Sequence, residues 1–233
     1  MATSGTYIWT QTRAQAIAGA LRKLGVLASG GTPTANQTSD ANDALNAIVK
    51  AFHADGMPLW AIMSKTFTVT SGTASYTLGV GQTVDTPPPL KIIQALRTVS
   101  GASSTPMNII DRYDYENLPD TATGLPVYLY YQPLISTGTV KLWPIPNDST
   151  TTIEVHYQRP FQDMAATGDN FDFPPYWMQA IIYYLAWALA PEYGTPTLDR
   201  GQLQKEAMYW KEQALSYGTE EGSLFIQPED RRK

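Results

Sequence analysis

At 233 residues with 43% hydrophobic side chains, the chain is long enough to bury a sizeable core in one domain or two. It has no cysteine, which excludes disulfides, thiolate catalysis and Cys-ligated zinc, and its formal charge of −5 disfavours a general nucleic-acid binder, which is normally basic. Charged residues are only 16% while Thr, Ser, Gly and Pro are plentiful, a balance suited to strands joined by tight turns plus a few helices.

The first ten residues have neither a basic start nor an apolar run and do not read as a secretory signal. Residues 10–27 read as a helix with Ala14, Ile17, Ala18, Leu21 and Leu24 on one face and Gly25 as its stop. After a turn-rich loop, Thr38 or Ser39 is expected to cap a second helix, whose stripe of Ala41, Ala44, Leu45, Ile48 and Phe52 closes at Gly56 and Pro58. Two such helices make a hairpin with one apolar face each, and a third surface must cover them.

From Leu59 the period changes to two. Residues 65–70 and 75–78 read as the arms of a hairpin, 90–99 and 106–110 as a second pair across Gly101, and 111–118 as one short helical turn. Segments 126–131, 139–143 and 151–157 complete six to eight strands in an antiparallel sheet or small sandwich. After a loop through Asp172, Trp177, Ile181, Tyr184, Leu185, Ala188 and Leu189 recur at three- and four-residue steps behind Pro174 and Pro175, with Gly194 as terminator. With Ile182, Tyr183 and Trp187 on its other faces, this helix is apolar nearly all round and should be buried by several neighbours. Its apolar run, residues 176–190, falls short of the roughly 20 residues a bilayer span needs.

A last helix over 198–217 places Leu203, Ala207, Trp210 and Ala214 in line, and Gly218 ends it. The expected fold is α+β: a helical bundle built from N- and C-terminal helices, an inserted antiparallel β domain and an extended C-terminal tail. Its boundaries are a helical hairpin at 1–62, the β domain at 63–160, the completing helices at 161–218 and the tail at 219–233.

Sites for chemistry are weakly signalled. His53 and His156 stand at no ligand spacing, so neither a metal nor a cofactor is expected. Gly79-Val-Gly-Gln-Thr83 holds half a dinucleotide fingerprint and opens a loop rather than a helix, and Ser223 lacks the second Gly of a nucleophile elbow. Glu154, Asp163, Asp169 and Asp172 are the carboxylates from which a cell-wall glycosidase would draw its pair. A carbohydrate-binding sandwich built on surface aromatics is a third reading.

Two features favour assembly. The chain has 14 Tyr and 6 Trp, with clusters at Tyr128-Leu-Tyr-Tyr131 and Tyr183-Tyr184, and interfaces favour these residues, although cores absorb most of them. The trio Leu224, Phe225 and Ile226 sits in a charged terminus and either folds back locally or docks on another chain, docking being favoured.

Several motifs, in order and spacing, resemble the head-to-tail adaptor (tail accessory factor) family of short-tailed phages. They are Ala20-Leu-Arg-Lys-Leu-Gly25 with Thr32-Pro33, Asp43-Ala-Leu-Asn46, Phe67-Thr-Val-Thr-Ser-Gly-Thr-Ala-Ser-Tyr-Thr-Leu-Gly79 and Ile109-Ile-Asp-Arg-Tyr113. Gly124-Leu-Pro-Val-Tyr-Leu-Tyr-Tyr131, Leu142-Trp-Pro-Ile-Pro146, Phe173-Pro-Pro and Leu189-Ala-Pro-Glu-Tyr-Gly194 follow. The resemblance implies a structural virion protein and not an enzyme, made in the host cytoplasm, forming a ring of about twelve copies beneath the portal. Its implied partners are the portal protein, distal tail or nozzle proteins and its own copies, with DNA passing through the lumen unbound and no membrane involved. The portal would then be the partner of Leu224, Phe225 and Ile226.

Overall fold

The computed structural model describes residue 5, residues 9–52 and residues 59–218. The chain divides into two compact units, Met1–Ala44 with Phe173–Lys233, and Leu45–Asp172. Among the described residues there are five α-helices: α1 (Arg13–Lys23), α2 (Ala35–Ala51), α3 (Arg112–Glu116), α4 (Met178–Leu189) and α5 (Thr197–Tyr217). The helices and sheets together make an α+β protein.

In the first unit, α1 opens on a capping box. Thr12 Oγ1 accepts the Gln15 N–H at 3.4 Å while Gln15 Oε1 accepts the Thr12 N–H at 3.0 Å. It ends at Gly25, whose φ of 72° lets the Val26 N–H reach Leu21 O and the Gly25 N–H reach Arg22 O, both at 3.1 Å. The start of α2 differs from the expected cap at Thr38 or Ser39. Thr34 and Gln37 form the same reciprocal box at 2.9 and 3.3 Å, so the helix begins four residues earlier, and Thr38 lies inside it with its hydroxyl donating to Thr34 O at 2.9 Å. Gly56 and Pro58, the expected end of this helix, lie outside the described residues.

A 3-10 turn, Pro175–Trp177, leads into α4, which packs against both α1 and α5. Met178, Ala180, Ile181, Ile182, Leu185, Ala186 and Leu189 are buried, a broad arc that needs more than one neighbour. Ala188, expected in the stripe, is exposed. On α1 the buried residues include Ala16, Ile17, Ala20 and Leu21, and on α5 Ala207 and Ala214 are buried.

The second unit holds the strands, eleven among the described residues: β1 (Ile62–Thr68), β2 (Ser75–Gly79), β3 (Val84–Asp85), β4 (Lys91–Thr98), β5 (Thr105–Pro106), β6 (Asn108–Ile110), β7 (Thr123–Gly124), β8 (Tyr128–Pro133), β9 (Gly138–Trp143), β10 (Ile145–Pro146) and β11 (Thr152–Gln158). One antiparallel sheet runs β1-β11-β4-β5 and a second, mixed sheet runs β3-β2-β9-β8-β6, with β7 and β10 as a parallel pair. The expectation of an antiparallel unit is corrected in part, since β3 lies parallel to β2 and β6 parallel to β8.

The expected hairpin of β1 and β2 is not formed. All seven residues of β1 pair with β11, while β2 pairs with β9 in the other sheet. The turn between them is an arch that crosses from sheet to sheet. It is pinned by the Tyr76 hydroxyl, which accepts the Thr70 N–H at 2.8 Å and donates to Thr73 O at 3.0 Å. Alternation marks which residues face inward but does not name the partner strand, which is why the local turn misled the sequence reading. Of the expected pair across Gly101 only the start is formed, Leu96 and Arg97 of β4 with Pro106 and Thr105 of β5, while Asn108–Ile110 pair with β8 in the other sheet. α3 forms where a helical turn was read, capped by Asp111 accepting the Asp114 N–H at 2.8 Å.

Both sheets feed one core. Ile92, Ala95, Ile153, Val155 and Tyr157 come from β4 and β11, and Tyr76, Leu78, Leu129, Val140 and Leu142 from β2, β8 and β9. At the edge of this core Gly138 lies beside Tyr131, whose hydroxyl donates to Pro89 O and is pushed up to about 12 by burial. A side chain at Gly138 would overlap the Tyr131 ring and hydroxyl. Gly138→Ala is therefore expected to lower stability by about 1–3 kcal/mol in urea denaturation. Most of that cost should vanish in a Tyr131→Ala background, and strictly additive effects would contradict the contact.

The link into β11 depends on Asp148. Its carboxylate accepts the Thr151 N–H at 2.7 Å and the Thr150 N–H at 2.8 Å, and the buried Thr151 hydroxyl donates to Oδ2 at 2.9 Å. These backbone hydrogen bonds, from Thr151 first and Thr150 second, hold the carboxyl below its usual range. A lowered folded value means that the contribution is present above the unfolded pKa of about 3.9 and is lost as pH falls through the folded one. Denaturation of Asp148→Asn is expected to show a deficit at pH 7 that narrows as pH falls below about 3.9, where a constant deficit would contradict the linkage.

Candidate functional site

The residues that carry chemistry in the sequence are engaged in holding loops and strands. His156 Nε2 lies 3.5 Å from Glu154 Oε1 on the same face of β11, a partly exposed pair on one strand. His53 and Ser223 lie outside the described residues. The glycine-rich segment from Gly79 turns back at once, with the Gly81 N–H donating to Asp85 Oδ1 at 2.8 Å, and leads into β3 rather than a helix. It presents no helix N-terminus to a phosphate.

The four carboxylates do not share one role. Asp172 receives both terminal nitrogens of Arg159, one of them at 2.7 Å, and the Gln162 N–H at 3.0 Å. The side chains of this pair are only 14% and 18% exposed, and Arg159 also lies over the Trp60 ring, which stacks on Phe161 at 4.8 Å. Hydrogen bonding to Asp172 keeps the guanidinium pKa raised despite its burial. Asp163 meets Lys50 at 2.5 Å, but both side chains are about half exposed or more, so this pair is worth at most about 1 kcal/mol and the bidentate one dominates the loop. Asp169 accepts the Ala166 N–H at 2.6 Å, closing a local turn. Among the described residues no group of three or more His, Asp and Glu is placed to hold a metal ion.

The aromatic clusters singled out in the sequence are largely spent inside the fold. Tyr130 is buried against Tyr115 at 5.5 Å, Tyr128 packs on Trp143 at 5.7 Å, and Tyr131 reaches the Pro89 carbonyl. In the helical unit Tyr183 receives the Lys23 ammonium at 3.1 Å, and Tyr184 meets Trp187 edge to face at 5.5 Å.

Exposed apolar surface lies elsewhere, at positions the sequence reading passed over. The turn joining β8 to β9 carries Leu134 at 51% and Ile135 at 106% exposure, and near it, across Gly79 and Thr137, the loop before β3 presents Val80 at 77%. On α5, Leu198, Met208, Tyr209 and Tyr217 stand off the buried line of Ala207 and Ala214. Single exposed apolar residues are ordinary, but an apolar loop tip and an aromatic helix face on one chain mark surfaces for contact. The available signal was their position, since Leu134 and Ile135 sit between two alternating strands and Tyr209 and Tyr217 fall off the helical stripe. Leu224, Phe225 and Ile226 lie outside the described residues.

The helical unit also bears an open cleft of about 710 Å³ between the end of α1, Tyr183 and the start of α5. Arg22, Lys23, Asp199 and Glu206 line it with both charge signs. Among the described residues no helix is long and apolar enough to cross a membrane.

No curated protein matches this sequence. A family model described as SU10 adaptor protein matches residues 11–224, nearly the whole chain and both of its units. The chain therefore belongs to the SU10 adaptor protein family, phage structural proteins of the virion, in keeping with its resemblance to head-to-tail adaptors.

Proposed function

We propose that this protein is the head-to-tail adaptor of its phage, assembling as a ring of about twelve copies under the portal, closing the capsid vertex and attaching the tail. The observation that carries this reading is the family match from residue 11 to residue 224. The exposed apolar loop tip and the aromatic face of α5 support it, because an assembling subunit needs surface to bury on its neighbours. The helical domain, a bundle drawn from both chain ends, faces the portal, and the inserted β domain faces the distal tail proteins. Leu224, Phe225 and Ile226 of the C-terminal tail anchor on the portal. DNA passes through the lumen, and the net charge of −5 suits a conduit that must not grip phosphates.

Electron microscopy of portal rings mixed with the purified protein tests the anchor. The full chain is expected to decorate the rings and a version stopped after Gly218 to leave them bare, whereas equal decoration would remove the role of the tail. The loop tip has a separate readout. Leu134→Asp with Ile135→Asp is expected to keep portal binding while losing recruitment of distal tail proteins in pull-down, and normal recruitment would contradict that surface.

A further inference from the structure

The helical unit leaves an apolar groove of about 270 Å³ open beside the last turns of α5. Pro175 and Tyr176 form one wall, and Tyr209, Trp210, Ala214 and Tyr217 the other. Tyr176 and Tyr217 lie 5.8 Å apart, and Tyr209 stands edge-on to Trp210 at 5.3 Å. Tyr209 and Tyr217 remain 52% and 76% exposed. The Trp210 Nε1 is out of contact with water and has no hydrogen-bond partner among the described residues. That nitrogen is shut in by its own surroundings, so what the groove lacks is apolar cover.

The chain itself supplies that cover within reach. Helix α5 ends at Gly218, one residue beyond the groove-lining Tyr217, and Leu224, Phe225 and Ile226 are the apolar run of the residues that follow. Five residues separate Gly218 from Leu224, Thr219-Glu-Glu-Gly-Ser223, and at about 3.4 Å each they span up to roughly 17 Å. The groove wall from Tyr217 back to Tyr209 covers eight helical steps, about 12 Å. The linker is therefore long enough to reverse direction, with Gly222 available for the turn, and to lay the trio along that wall.

We propose that in the free protein Leu224, Phe225 and Ile226 occupy this groove on their own chain. This goes beyond the adaptor reading and does not depend on it. If the same side chains anchor on the portal, the groove holds them until the portal competes for them.

The absence of cysteine makes the test clean. In the full chain, Gln213→Cys is paired with Phe225→Cys and oxidised at low protein concentration, beside a control pairing Phe225→Cys with Glu212→Cys, which is exposed, off the groove and matched in separation along the chain. The groove pair is expected to close an intrachain disulfide at least tenfold faster than the control. Equal rates would overturn the proposal, and so would a disulfide between two chains, which would place the tail on a second copy. The two readings fail separately. A protein that decorates portals without selective crosslinking refutes the groove alone, and one that crosslinks but ignores portals refutes the adaptor role alone.

Discussion

The constraint that organises the helical unit is the burial of α4. Seven of its side chains are out of water, spread over an arc too wide for one partner, and the fold meets this by bringing α1 from one end of the chain and α5 from the other. Everything between these ends is thereby an insertion. A segment as long as Leu45–Asp172 can be accommodated there because it closes on a core of its own, to which two sheets contribute through β11 and β9 at their centres. The same arrangement spends segments from both ends of the chain on one packing problem.

Within the insertion, polar interactions hold loops rather than perform chemistry. The Asp148 carboxylate gathers four donors from Thr150 and Thr151 at the entry to β11, and Asp172 gathers three from Arg159 and Gln162 at the exit. Asp172, one of the four carboxylates that the sequence alone offered for an acid and base pair, is thus engaged in holding a loop. Apolar side chains left exposed include Leu134 and Ile135 at a hairpin tip and Tyr209 and Tyr217 on α5.

Much of the fold was legible in the sequence because periodicity reports burial directly. The three long helices of the helical unit, the short helix behind Asp111 and the inward faces of β9 and β11 follow from spacing alone. Where the reading failed, it did so on information that spacing does not carry. Thr34 rather than Thr38 caps α2 because Gln37 completes the box, a pairwise requirement that a lone Thr does not reveal. β1 and β2 were read as a hairpin because a Gly-containing turn joins them, yet Tyr76 turns that link into an arch between sheets. The parallel partners β3 and β6 are two and three residues long, too short to show a period. As for the surfaces, the cluster Tyr128-Leu-Tyr-Tyr131 drew notice as an interface, but the sheet uses it, and the exposed rings include Tyr113 on α3 and Tyr209 and Tyr217 on α5.

The central claim is that this chain occupies the portal as a ring with matching symmetry. Native mass spectrometry of portal rings saturated with the full-length protein tests it most directly. The account predicts one discrete complex with one adaptor copy per portal subunit. Unmodified portal mass at saturating protein, or a broad spread of copy numbers without a preferred one, would contradict it.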